Sequence, residues 1–304
     1  MILPITEKEV LLQPNNKKTG QTGSENVVEV RDLVFSHQGT DDKVYEGISF
    51  DIKKHDIAAF LGPNGAGKTT MFYLLLNIYK ANKGSIIIEG RDLKKGKKNK
   101  EYIRNTIGFV FQDPNDQLFC PTVWEDIAFG PHNQGKERAE VERIVKDVVA
   151  KLEIEHLINK KPHQMSLGEM KISSIATVLA LEPEIYLLDE PLASLDAVSK
   201  KRVLNIIKEL HTSGKTIIFS THDTRIAAEL ANTVILIKNA KEIEVRPKDK
   251  ILKDLEKLQS LGLDANPVSE IFVKIADALN RPELKEDVPI TVEEAVQKMK
   301  KIIV

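Results

Sequence analysis

The run Leu61-Gly62-Pro63-Asn64-Gly65-Ala66-Gly67-Lys68-Thr69-Thr70 constrains this chain more than any other feature. It fits the spacing G-x-x-x-x-G-K-[ST], with Gly62, Gly67, Lys68 and Thr69 in the fixed places. An apolar run, Ile57 to Leu61, precedes it, and Met71, Leu74, Leu75 and Ile78 follow at helical spacing, predicting a helix over Lys68 to Lys80. A strand, a glycine turn and a helix in that order form an α/β unit whose turn can cradle phosphates. Backbone N–H groups of the turn curl around phosphate oxygens, and the helix adds its positive dipole end. Lys68 would carry a full charge to the β and γ phosphates, and Thr69 would offer its hydroxyl to Mg²⁺. The sequence therefore predicts binding of a nucleoside triphosphate across Gly62, Pro63, Asn64, Gly65, Ala66, Gly67, Lys68, Thr69 and Thr70.

The remaining chain supports this reading and narrows the alternatives. Its 304 residues suffice for one large domain and a small one. Lys plus Arg number 44 and Asp plus Glu 45, so no net field draws the molecule onto nucleic acid, and no nucleic-acid partner is expected. The longest apolar runs fall far short of the roughly 18 to 20 residues that cross a bilayer. The N-terminus MILPITEKEV lacks the pattern of a secretion signal, making a cytoplasmic location the expectation. Cys120 is the only cysteine, which excludes an internal disulfide and a thiolate metal site.

Residues 1–25 are polar and without apolar period, and are read as a mobile arm. Strand-like runs begin at Asn26: Val27 to Phe35, Gly47 to Ile52, Ile57 to Leu61 and Ser85 to Glu89. Between Asp113 and Leu181 helical periods replace them, predicting an inserted helical subdomain at about 113–181. Strands return as Ile185 to Leu188, Thr216 to Ser220 and Val234 to Ile237, each after a helical stretch, so the sheet should be mainly parallel. The predicted core domain spans 26–245, and 246–304 form a small C-terminal helical appendage. Its last helix opens at Thr291, with Glu294 placed to complete a capping box.

The apolar strand in IYLLDE ends in Asp189 and Glu190, at the sheet edge where doubly wound folds bind ligands. Asp189 would face Mg²⁺, and Glu190 would orient and polarise an attacking water. Taken alone, both acids serve equally well as the N-terminal charges of a following helix. Ser166-Leu167-Gly168-Glu169 is, taken alone, an ordinary helix capping box.

The order of motifs decides between these readings. The phosphate loop, Gln112 in IGFVFQDP, SLGE, YLLDEPLASLD and the STHD of Ser220 to Asp223 together resemble the ATP-binding-cassette (ABC) ATPases throughout 26–245. The resemblance implies a P-loop NTPase cassette: a mainly parallel sheet core, an antiparallel β part and an inserted helical subdomain. It implies ATP and Mg²⁺ as ligands and hydrolysis as the reaction. Gln112, Glu190 and His222 would be catalytic, Thr69, Gln112 and Asp189 would face Mg²⁺, and Asp196 would lie in the D-loop. Ser166, Gly168 and Glu169 would form a signature that closes over the γ-phosphate on a partner cassette.

Two departures from the family pattern stand out. MSLGE replaces the usual LSGGQ, so Leu167 occupies a glycine position, and His37 stands where an adenine-stacking aromatic is common. The segment Phe111 to Pro131, FQDPNDQLFCPTVWEDIAFGP, resembles cobalt, nickel and energy-coupling-factor importer ATPases, as do Asn266-Pro267-Val268 and Thr291 to Ala295. That subtype implies a second cassette, identical or paralogous, a transmembrane coupling subunit, a substrate-binding membrane subunit, and a peripheral place on the cytoplasmic face. A soluble ABC ATPase acting on DNA, ribosomes or iron–sulfur assembly is the alternative. The balanced charge and absence of coiled-coil insertions argue against it.

Overall fold

The computed structural model describes residues 25–37, 39, 43–238 and 242–303. The predicted N-terminal arm lies outside them but for Glu25. Two sheets organise the chain. The first is antiparallel, in the order β2-β1-β4-β5, from β1 (Asn26–Ser36), β2 (Lys43–Lys53), β4 (Lys83–Ile88) and β5 (Arg91–Asp92). The second runs β10-β9-β3-β8-β7-β6, from β3 (Ile57–Leu61), β6 (Ile107–Val110), β7 (Ile185–Leu188), β8 (Thr216–Thr221), β9 (Thr233–Lys238) and β10 (Glu242–Pro247). All its neighbours pair in parallel except the antiparallel edge strand β10.

Burial explains why the central strands read as continuous apolar runs. Every residue of β3, β7 and β8 is buried, as expected for strands covered on both faces. Alternate residues serve opposite cores: Ile57, Ala59 and Leu61 join the helical side, while Ala58 and Phe60 face the antiparallel sheet. On that second side α1 (Lys68–Leu75) packs beneath the sheet. Edge-to-face rings run from Phe50 through Phe60, Phe72 and Phe109 to Phe111.

Between β6 and β7 stand α3 (Val123–Asn133), α4 (Arg138–Leu152) and α5 (Leu167–Leu179), where the sequence predicts helices. Helix α2 (Gly96–Thr106) and strand β6 were not anticipated. The helix α1 is shorter than its apolar spacing suggests: it ends at Leu75, Asn77 turns to a φ of 55°, and Ile78 is exposed. After β7 come α6 (Ala197–Thr212) and, beyond β8, α7 (Thr224–Leu230).

The C-terminal part contains α8 (Lys248–Leu252), α9 (Leu255–Ser260), α10 (Pro267–Ala278) and α11 (Val292–Ile303). Ile251, Leu252, Leu258, Leu263 and Ile290 belong to the same apolar cluster as α4, α5 and β7. Asn266 is buried, caps α10 through Val268 N–H and donates to the Ile290 carbonyl at 2.8 Å. At α11, Thr291 Oγ1 accepts from Glu294 N–H, while the Glu294 carboxylate takes the N–H of Ile290, one residue earlier than an ideal capping box.

Candidate active site

The parallel register fixes which residues meet. Leu61 pairs with Thr221, Leu188 with Phe219 and Val110 with Leu188, so β3, β8, β7 and β6 all end at one edge. The residues that follow those strands therefore emerge together: the phosphate loop after β3, Asp189 and Glu190 after β7, His222 after β8 and Gln112 after β6. A polar cleft of about 210 Å³ lies there, lined by Asn64 through Thr70, Gln112, Asp189 and Glu190.

The loop is a built cradle. Gly67 caps α1 with a φ of 102°, a conformation that a side chain would strain. Tyr45, fully buried in β2, donates to the Gly67 carbonyl at 2.8 Å and pins the turn from below. Lys68 is buried; its ammonium donates to the Gly62 carbonyl at 2.7 Å and the Pro63 carbonyl at 3.1 Å, and stands 3.8 Å from Glu190. Burial pushes its pKa below the ordinary lysine value, against the pull of Glu190 and Asp189. Thr69 Oγ1 donates to Asp189 Oδ2 at 2.6 Å and lies 3.4 Å from Gln112 Oε1, joining residues 120 positions apart.

The carboxylates are held individually. Ser220, wholly buried, donates through Oγ to Asp189 Oδ1 and accepts the Glu190 N–H at 2.9 Å. Glu190 has a φ of 45°, sparsely populated for a residue with a side chain, and that amide contact helps to fix it. Its Oε1 lies 2.9 Å from His222 Nδ1. The arrangement sets an acceptor, Glu190, beside a cradle rich in N–H donors. A carboxylate there can polarise a water, and the exposed imidazole can contact a phosphate oxygen.

Thr69, Gln112 and Asp189 bring a hydroxyl, an amide oxygen and a carboxylate together, the oxygen donors a hard divalent cation prefers. The described residues contain no group of three His, Cys, Asp or Glu side chains placed to hold a metal by themselves. A cation shared between one carboxylate, one hydroxyl and a bound phosphate fits this set, because Mg²⁺ is seldom caged by protein alone.

Other predicted residues stand elsewhere. Ser166, Gly168, Glu169, Asp196 and His37 do not line the cleft, whereas His222 adjoins it through Glu190. Ser166 caps α5: its Oγ accepts from Glu169 N–H at 3.2 Å, and the Glu169 carboxylate accepts from Ser166 N–H at 2.8 Å. The Lys160 ammonium and that amide hold the Glu169 carboxyl down at about 2. A Cβ on Gly168 would stand 2.9 Å from the Ser194 carbonyl, so the signature abuts the loop leading to Asp196. Leu167 begins α5 and is not among the residues with positive φ; the missing glycine costs no backbone strain, and the side chain is 55% exposed. Asp196 caps α6, accepting from Val198 N–H and Ser199 N–H. His37 meets Phe35 and Tyr79 edge-on, at ring separations of 5.1 and 5.5 Å.

Tyr45, Lys171, Gln117 and Ser220 were missed as site residues by motif reading. Gln117 accepts Phe111 N–H and donates to the Ser174 carbonyl and to Thr177. Lys171 donates to the carbonyls of Phe111, Gln112 and Asp189, and burial brings its pKa down to about 8. A lysine inside the apolar run Met170 to Leu181 was the visible signal for it. Tyr45 left none, since an inward position of an alternating strand reads as core.

A family model described as ABC transporter matches residues 45–193. The energy-coupling factor transporter ATP-binding protein EcfA of Methanocaldococcus jannaschii is 38% identical over 265 residues, 87% of this chain and 92% of that protein. The corresponding protein of Methanococcus maripaludis is 40% identical over 247 residues, 81% of this chain and 88% of its own. Among solved structures, CbiO1 of Clostridium perfringens, described as part of the ABC transporter complex CbiONQ, superposes with a TM-score of 0.69 at 29% identity, over 84% of this chain and 99% of that one.

Proposed function

The chain belongs to the ABC transporter ATP-binding proteins, which couple ATP hydrolysis to transport, and from that premise we propose that it is the motor of an energy-coupling-factor importer for a transition-metal ion or a vitamin. The observation that carries the reading is the convergence of Lys68, Thr69, Asp189, Glu190 and His222 at one sheet edge, with Ser166 and Gly168 outside that cleft. Half a site is built in this chain, and a second cassette, identical or paralogous, supplies the other half head to tail.

The residues then divide the work. Amides from Gly65 to Thr70 and the Lys68 ammonium bind the β and γ phosphates of ATP. Thr69, Asp189 and Gln112 would hold Mg²⁺, which would neutralise phosphate charge. Glu190 orients the attacking water and draws on its proton. His222, set by Glu190, meets the γ-phosphate oxygens. Ser166 Oγ, the Gly168 amide and the N-terminus of α5 form an anion site that the partner's nucleotide enters. His37 borders adenine, and Asp196 lies at the seam between cassettes. Closure moves a membrane coupling subunit, with which a substrate-binding membrane subunit is associated, at the cytoplasmic face. Phe119 and Phe129, exposed and edge-to-face at 4.9 Å, supply an apolar contact for it.

Replacing Glu190 by Gln tests the mechanism. Turnover should fall by about two orders of magnitude or more, as for loss of a general base, while ATP binding survives. With ATP and Mg²⁺, light scattering should find Glu190→Gln as dimers. Monomers only at saturating nucleotide would defeat the shared site. Wild-type turnover with its membrane partners no faster than Glu190→Gln would defeat the motor reading.

A further inference from the structure

We propose that Lys171 is a positioning residue, locking the helix that begins with Ser166 to the backbone that presents Gln112 and Asp189. The proposal rests on the shared-site reading above and adds a route between its two halves within one chain.

The geometry is specific. Lys171 lies in α5, little more than a turn beyond Ser166, and is 1% exposed. Its ammonium has three protons and donates to three main-chain carbonyls: Phe111 at 2.8 Å, Gln112 at 3.1 Å and Asp189 at 3.0 Å. Those carbonyls come from two strand ends, β6 and β7, so one cation bridges three segments of the fold. A buried ammonium satisfied only by carbonyls is costly to desolvate unless each bond is well formed. Its position is therefore coupled tightly to the positions of all three acceptors.

The consequence follows from what those acceptors carry. Gln112 and Asp189 extend side chains toward Thr69 in the cleft of this chain. Ser166 and Gly168, at the N-terminal end of the same rigid turns of α5, are not part of that cleft's lining. A shift of Gln112 or Asp189 on nucleotide binding moves Lys171, and α5 carries the shift to Ser166. Gln117 makes a parallel tie, from Phe111 N–H to the Ser174 carbonyl, further along α5. Lys171 is the tie nearer the signature.

Lys171→Met, of similar length and without donors, and Lys171→Gln, with two donors, separate positioning from mere stability. In the full chain with its membrane partners, Lys171→Met should bind ATP within about threefold of wild type and lower kcat by about tenfold or more. Lys171→Gln should recover part of the kcat. Hydrogen exchange should quicken at Phe111 to Asp113 in the Met variant while the amides of Gly65 to Thr69 keep wild-type protection. If Lys171→Met does not fold, Lys171→Gln alone decides, with a several-fold loss in kcat expected at unchanged ATP affinity. A wild-type kcat in either folded variant, or an equal loss of affinity and kcat, overturns the proposal. An inactive wild type would instead refute the transport-motor reading, so the two failures are distinguishable.

Discussion

At the scale of single residues, the candidate site depends on buried groups outside the cleft lining. Ser220 is the clearest case, since one hydroxyl serves Asp189 and the Glu190 amide from a wholly buried position. Ser220→Ala leaves a buried carboxylate oxygen and a buried N–H short of a partner. Each such orphan costs about 1–3 kcal/mol, so the denaturation midpoint should fall and turnover should fall further than stability alone explains. Equilibrium unfolding beside steady-state ATPase rates measures both. Tyr45→Phe should be milder: it removes one of two donors to the Gly67 carbonyl, which keeps the Met71 N–H, so it should cost about 1 kcal/mol and loosen the loop.

At the scale of elements, α5 shows how one local device serves two ends. Its capping box is strong as structure: Ser166 and Glu169 satisfy each other's amides, and Lys160 adds an ion pair at 2.7 Å. Glu169 has its carboxyl held at about 2, below the ordinary 4.5. A depressed folded value contributes stability that is full above pH 4.5 and lost as pH falls through about 2. Acid unfolding of Glu169→Gln should therefore be shallower across that window than that of wild type, with the two curves converging toward its acid end. Identical slopes from circular dichroism at stepped pH would contradict the assignment. The same N-terminus begins at Leu167 without positive φ, as the proposed anion site requires.

At the scale of the whole molecule, the C-terminal helices share the main core. Ile251, Leu252, Leu258, Leu263 and Ile290 pack in one cluster with Ile127, Leu152 and Leu188. Thr224 in α7 also donates to the Asp264 carbonyl. The fluorescence of Trp124, packed against that cluster, and the far-ultraviolet helix signal should therefore lose structure in one coincident thermal transition. Asn266→Ala should lower that transition, because it removes a cap and leaves the Ile290 carbonyl unpaired, at about 1–3 kcal/mol. Two separated transitions in wild type would show that the C-terminal helices fold apart from the core.

Sequence alone determined what local chemistry can state: the glycine loop, the acid pair after a buried strand, the order of motifs, and the alternation of parallel strands with helices. These signals are short in range, since a phosphate cradle, a cap or a two-sided strand is written within a dozen residues. Only the tertiary structure decided which distant groups meet. Thr69 finds Asp189 because β3 and β7 end at one edge, on either side of β8. Lys171 and Tyr45 acquire their roles through backbone carbonyls, which leave no mark in sequence, and Ser220 through a distant carboxylate and a backbone amide. Whether Leu167 at a glycine position strains the backbone was likewise a question of φ, which α5 answers by beginning there. Covalent neighbours dictate propensity, whereas long-range pairing sets the distances on which the chemistry depends.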